Sequence, residues 1–167
     1  MILVGNAASL LDKQLGEFID AHESVVRMNN GGPLPDKASD LGLRTTHWSF
    51  SATDRTQYLY WRGKLPTDVI ELRLNRRIVY PIGNSESISP TQLVYDRMLK
   101  NYAGARPSTG AITAAWLCGV MRYKVTAVGF DFFQSRTWYR DSDARGPHDS
   151  DQEKAFLENM TNLRVMQ

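Results

Sequence analysis

His148 opens the stretch His148-Asp149-Ser150-Asp151-Gln152-Glu153, where a polar loop gives way to an apolar-periodic segment. A neutral imidazole, with an unperturbed pKa of about 6.5, accepts a proton at physiological pH, so His148 is the candidate general base. Asp149, Asp151 and Glu153 could orient that ring or favour its charged form, while a helix N-terminus beside it would disfavour the charge. A second group is Arg106-Pro107-Ser108-Thr109-Gly110, directly before the apolar run Ala111 to Val120. Proline stops a helix from extending backwards, the hydroxyls supply a cap and donors, and glycine lets a ligand approach free backbone N–H groups. Such a start suits a phosphate or carboxylate, and equally an ordinary helix cap.

Asn6 and Asn29 each offer donors and acceptors after a strand-like segment, which suits a ribose, a phosphate or a base edge, or simply a turn. Trp138 and Tyr139 could stack on a base or donate to an oxygen, or cover a core. Ser150-Asp151-Gln152-Glu153 fits the capping-box pattern, which gives Glu153 a structural role to set against a functional one. Asp141-Ser142-Asp143 and Asp149-Ser150-Asp151 each resemble the paired aspartates that hold a divalent metal in many nucleotide-sugar transferases, a cheap match in an aspartate-rich loop. Dinucleotide, P-loop and nucleophile-elbow fingerprints are absent from the sequence.

The elements that must position these residues alternate between strand and helix. Ile2-Leu3-Val4, Ser24 to Met28, Thr45 to Phe50, Val69 to Leu72, Arg77 to Tyr80 and Lys124 to Val128 read as strands. Helices are expected over Leu10 to Ile19, Asp54 to Trp61, Pro90 to Tyr102, from Ser108 through the apolar run, and from Asp149 to about Val165. Trp48, Trp61 and Trp116 read as packing residues. The expected fold is α/β, a single Rossmann-like domain over residues 1–167 with a mainly parallel central sheet flanked by helices. In such sheets ligands bind at strand carboxyl ends, where Asn6, Asn29 and Asp131 fall.

With 167 residues, 42% hydrophobic and 23% charged, the chain suits one well-buried core. A formal net charge of +2 from scattered basic residues implies neither nucleic-acid binding nor a polybasic membrane anchor. Cys118 stands alone, so no internal disulfide forms. No run is long enough for a membrane span and no leader pattern precedes Ile2, so the expectation is a soluble, cytoplasmic protein whose partner is a small molecule.

In order along the chain, these pieces resemble the animal-type sialyltransferase family, glycosyltransferase family 29. Val4-Gly5-Asn6 through Val25-Val26-Arg27-Met28-Asn29-Asn30 resembles the two ends of its long motif, and Asp40 to His47 the D-V-G-x-[RK]-T-T extension. Pro107-Ser108-Thr109-Gly110 with Val125 to Phe130 is similar to the short motif, Trp138-Tyr139-Arg140-Asp141 stands at the third, and His148 to Glu153 is similar to the very short motif. The resemblance runs over nearly the whole chain and is least in Thr53 to Ser87. It implies a GT-A-like variant fold and a short, soluble microbial or viral-like member. It also implies inverting, metal-independent transfer of sialic acid from CMP-sialic acid to a glycan hydroxyl, with His148 as base and no cofactor.

On the same resemblance, Asn6 and Asn29 contact the CMP part of the donor, Ser108, Thr109 and Gly110 its phosphate or the sugar carboxylate, and Tyr139 assists at the phosphate. Glu153 and Trp138 are supporting residues. Trp138 stands where the family usually has a histidine, the cysteine before V-G-N is missing, and Cys118 does not fall at the short-motif cysteine. The alternatives are transfer from CMP-Kdo or another CMP-activated 2-keto sugar acid, a metal-dependent transferase using Asp141 and Asp143, and a CMP-binding relic without turnover.

Overall fold

The computed structural model describes residues 1–52, 54–74, 87–88, 106–140 and 148–166. Among the described residues, seven strands form one sheet in the order β5-β4-β3-β2-β1-β6-β7: β1 Ile2–Val4, β2 Val25–Met28, β3 His47–Phe50, β4 Ile70–Arg73, β5 Ser87–Ile88, β6 Val125–Val128 and β7 Leu163–Met166. Every neighbouring pair is parallel. From β1 the chain builds outward through β2 to β5, then returns to lay β6 on the other side of β1. That reversal makes the carboxyl ends of β1 and β6 the topological switch point, the usual ligand position in an open α/β sheet. The expected Rossmann-like α/β fold is therefore present.

Both faces of the sheet are covered, so its strands read as continuous apolar runs. Ile2, Val4, Val25 and Val128 pack with Leu10, Ile19 and Leu41 on one face. Leu3, Val26, Met28 and Ala127 face the other way, onto Ala111, Ile112, Trp116 and Leu157. A third cluster joins Trp48 and Phe50 of β3 to Tyr58 and Trp61 of α3, Arg55–Arg62, whose Asp54 cap accepts from the Gln57 N–H. Trp48 and Phe50 stack with centroids 4.0 Å apart. The packing roles expected for Trp48, Trp61 and Trp116 hold, since all three are buried.

Arg27 of β2 is also buried, and burial pushes its pKa down to about 10 against the opposing charge of Asp20. Its guanidinium donates to the Leu41 and Arg44 carbonyls and to Thr45 Oγ1, while Asp20 accepts from the Leu43 and Arg44 N–H groups. Together they fold the Leu41 to Thr45 segment against the sheet. Glu71 of β4, fully buried, takes Tyr58 Oη at 2.6 Å and the Arg62 and Arg73 guanidiniums, pinning α3 to β4.

Two expected helices differ in the structure. The helical spacing from Leu10 to Ile19 resolves into a 3-10 turn at Ala8–Leu10 and the short α1, Gly16–Asp20, because Asp12 and Gln14 between them take φ of 66° and 53°. The last helix, α5, Ser150–Glu158, stops well before Val165. Leu163 to Met166 instead forms β7, paired with β6 in the register Val125↔Leu163. Asn162 makes the switch, its carbonyl accepting from the Val125 N–H at 2.9 Å. The remaining α-helices among the described residues are α2, Ala38–Leu41, and α4, Thr109–Ala114, which continues as a π-helical turn over Ala115–Val120. The expected strand Arg77 to Tyr80 and helix Pro90 to Tyr102 lie outside the described residues.

Cys118 is buried in the π-helical turn, and burial pushes its thiol up to about 11. Since the thiolate is the reactive form, native protein at about pH 8 should react with an aromatic disulfide reagent far more slowly than denatured protein. Equal rates of labelling would contradict the buried placement. Among the described residues, no helix is long and apolar enough to cross a membrane.

Candidate active site

The site starts at the two strands that flank the reversal. Gly5 follows β1 so closely against β6 that an added Cβ would lie 2.0 Å from the Gly129 carbonyl oxygen, so glycine is required there. Asn6 then projects its amide over the end of β2, donating to the Met28 carbonyl at 3.2 Å and to Tyr139 Oη at 3.3 Å. Its Oδ1 is buried against Gly31 and has no partner, leaving an unpaired acceptor at the strand ends. The segment bearing Tyr139 is held alongside by an antiparallel bridge between Ala7 and Thr137 and by the Trp138 N–H on the Asn6 carbonyl. Burial raises the Tyr139 pKa, with Arg140 and the Asn6 amide acting in the opposite direction. Trp138 packs against the Ile2, Val4 and Leu10 cluster, and its buried indole N–H has no partner.

Asn29 ends β2 in the left-handed region, φ 48°, a conformation asparagine tolerates better than most residues. Its Oδ1 accepts from the Ser51 N–H at 3.0 Å, its Nδ2 donates to Thr109 Oγ1 at 3.1 Å, and Ser51 Oγ meets the same Thr109 hydroxyl at 2.9 Å. These bonds fasten the first residue of α4 to the ends of β2 and β3. Asn29→Ala removes the knot and should lower stability by about 1–2 kcal/mol, read as a lower denaturant midpoint at unchanged slope. An unchanged midpoint would deny the knot any part in holding α4.

Ser108 caps α4, its Oγ accepting from the Ala111 N–H at 3.1 Å. Its own donors go to Glu153: Oγ donates to Oε1 at 2.6 Å and the backbone N–H to Oε2 at 3.1 Å. Glu153 is 3% exposed, and it does not close the capping box expected from the sequence. Asp149 caps α5 instead, accepting from the Asp151 and Gln152 N–H groups, because it stands one residue earlier in extended conformation. Burial raises the Glu153 pKa, with the Ser108 hydrogen bonds and the His148 charge pulling it down. Thr109 and Gly110 are left as the N–H groups at this helix start with no acceptor among the described residues. Packing accounts for Gly110, since an added Cβ would lie 2.7 Å from the Phe130 ring.

His148 directly precedes the α5 cap, and its Nδ1 lies 2.6 Å from the Arg106 carbonyl oxygen. A carbonyl only accepts, so Nδ1 carries a proton, and whenever the ring is neutral Nε2 is the nitrogen that can act as a base. The His148 ring also lies parallel to Phe133, with centroids 5.4 Å apart and planes at 17°. Arg106 immediately precedes Pro107-Ser108, so α4 and α5 begin side by side. The structure thus joins Asn6 to Tyr139, Asn29 to Thr109, Ser108 to Glu153 and His148 to Arg106. Asp149 spends its carboxylate on the α5 cap, with Oδ2 accepting from the Gln152 amide, and Asp141 and Asp143 lie outside the described residues.

Sequence reasoning missed Ser51, Phe133 and the Arg106 carbonyl. None carries a local signal, because each acquires its role only through a partner distant in sequence.

Residues 2–77 match the family model described as glycosyltransferase family 29 (sialyltransferase). The human type 2 lactosamine alpha-2,3-sialyltransferase is 44% identical over 45 residues, 27% of this chain and 13% of that protein. The chicken CMP-N-acetylneuraminate-beta-galactosamide-alpha-2,3-sialyltransferase 1 is also 44% identical over 45 residues, with the same shares of each chain. The matched stretch is thus a small part of these relatives' length. The fold is similar to that of a mammalian sialyltransferase solved in complex with Gal-beta-1-3GalNAc-ortho-nitrophenol, with a TM-score of 0.71 at 18% identity over 99% of this chain and 68% of that one. Residues 2–77 thus resemble glycosyltransferase family 29 in sequence, and the chain as a whole is similar in fold to a mammalian sialyltransferase.

Proposed function

We propose that this protein transfers sialic acid from CMP-sialic acid to a glycan hydroxyl, with inversion at the anomeric carbon and without a metal ion. The observation that carries the reading is the His148 hydrogen bond to the Arg106 carbonyl, which leaves Nε2 able to accept a proton beside the start of α4. Nε2 takes the acceptor hydroxyl's proton as that oxygen attacks the anomeric carbon from the face opposite CMP. The bond from the anomeric carbon to the phosphate oxygen breaks with its electron pair remaining on CMP. Charge therefore develops on the phosphate while the sugar passes through an oxocarbenium-like state.

Fixed donors favour such a departure because they need no reorganisation as the charge grows. The Thr109 and Gly110 N–H groups and the Tyr139 hydroxyl fill that role in this reading, and the unpaired Asn6 Oδ1 is an acceptor for the nucleotide. Asn29 and Ser108, expected at the donor, also have partners within the protein. Asn29 supports by holding Thr109, and Ser108 by linking α4 to Glu153. Metal independence rests on the same donors, together with an Asp149 already engaged as a cap.

Calorimetry with CMP, UDP and GDP, followed by CMP release from CMP-sialic acid and CMP-Kdo in the presence of lactose-type acceptors, tests the reading. CMP alone among the nucleotides should bind, and release from CMP-sialic acid should depend on acceptor and persist in EDTA. Release abolished by EDTA and restored by manganese would overturn the metal-independent mechanism. Preference for CMP-Kdo would reassign the sugar, and CMP binding without turnover would leave a relic.

A further inference from the structure

We propose that Phe133 is a positioning residue for the base, holding the plane of the His148 imidazole by stacking; the inference rests on the reading of His148 given above. The hydrogen bond from Nδ1 to the Arg106 carbonyl fixes one edge of the ring but leaves it free to swing about the Nδ1 to oxygen line. A parallel aromatic face removes that freedom. Phe133 supplies one, with centroids 5.4 Å apart and planes at 17°. Edge and face together determine where Nε2 points, and the geometry of a proton transfer depends on that direction.

The backbone carrying Phe133 is built for presentation. Phe132 and Phe133 both take left-handed conformations, φ 55° and 63°, which bulky side chains rarely adopt and which cluster at functional sites. The surrounding turn over-determines them. Asp131 accepts from the Gln134 N–H through its carbonyl, and its Oδ2 accepts from the Ser135 N–H at 2.9 Å and from Ser9 Oγ at 3.0 Å. Ser135 Oγ in turn accepts from the Ser9 N–H at 3.2 Å. Phe132 anchors the turn, 7% exposed among Ala111, Leu157 and their neighbours. Two adjacent phenylalanines therefore divide the work, one buried as an anchor and the next turned onto the histidine.

The test compares Phe133→Leu, Phe133→Gly and Phe133→Tyr. Leucine keeps apolar cover without a ring, glycine also relaxes the left-handed backbone, and tyrosine retains the stacked face. With CMP-sialic acid and lactose, the leucine and glycine variants should lose about tenfold in kcat with donor KM within about twofold, and tyrosine should restore kcat. In parallel, carbon relaxation at the His148 ring should show an ordered imidazole in the wild type and the tyrosine variant, and a mobile one in the other two. An unchanged kcat with an equally ordered ring, or a tyrosine variant no better than leucine, overturns the inference. If no donor is turned over by the wild type, the functional reading fails, and the ring-order measurement alone still decides whether Phe133 positions His148.

Discussion

His148→Ala should lower turnover by about 100-fold or more while CMP affinity stays within about twofold. The separation follows from where the ring sits. His148 is attached through the Arg106 carbonyl and the Phe133 face, whereas Asn6, Tyr139, Thr109 and Gly110 are held by bonds that do not pass through it. Removing the imidazole deletes the proton acceptor and leaves those groups in place. Steady-state kinetics on CMP release paired with calorimetric titration of CMP measures both quantities. Unchanged turnover would remove His148 as the base, and a parallel collapse of CMP binding would make its role structural.

Glu153→Leu should be the most damaging of the single substitutions for stability among the residues of the site. Leucine fills similar space but leaves the Ser108 O–H and N–H buried without acceptors, at a cost of about 3 kcal/mol. In a chain of this size that is a fall in melting temperature of roughly 10 °C. Glu153→Gln should lose less, since its amide oxygen can still accept from one Ser108 donor. The glutamine variant also reads the charge. Burial raises the folded-state pKa of Glu153 above its ordinary 4.5, so the folded protein binds the proton more tightly than the unfolded chain. Stability from this group is therefore fully present below 4.5 and is lost as pH rises through the folded value. The wild type should lose ground against Glu153→Gln on passing from acid to about pH 8, measured by urea unfolding at several pH values. A gap that moves the other way would mean that the Ser108 hydrogen bonds outweigh burial.

The ionisation of Glu153 bears on function because its carboxyl lies at the helix start read as an anion cradle. A full negative charge there would oppose a phosphate or sugar carboxylate, while burial disfavours that charge. Capping and ligand binding consequently compete more than the Pro107-Ser108-Thr109-Gly110 sequence suggests. Ser108 serves Glu153, and the donors left for a ligand begin at Thr109.

The strands were legible where residues were apolar on both faces, as in Ile2-Leu3-Val4 and Val25-Val26, because only a covered parallel sheet or a buried helix tolerates such runs. Asn6 and Asn29 could be placed at strand ends for the same reason. The short strand Ser87–Ile88 offered too few residues to show a period. Leu163-Arg164-Val165-Met166 could be read as the last turn of a helix, and only its pairing with β6 makes it a strand. Ser150-x-x-Glu153 matched a local cap, yet Glu153 found its partners 45 residues away in Ser108, a tertiary choice that no local pattern encodes. Phe133 was invisible for a related reason. Its left-handed backbone and its stacking partner both depend on a turn closed by Asp131 and Ser9.

The most direct test is a product assay in which purified wild-type protein and His148→Ala are incubated with CMP-sialic acid and a lactose-type acceptor in EDTA, and the acceptor is weighed by mass spectrometry. Wild type should yield acceptor enlarged by one sialic acid, with inverted anomeric configuration by proton NMR, and His148→Ala should yield about one hundredth of it or less. An unmodified acceptor with wild type under these conditions, or equal product from both proteins, would contradict the assignment of a metal-independent sialyl transfer to His148.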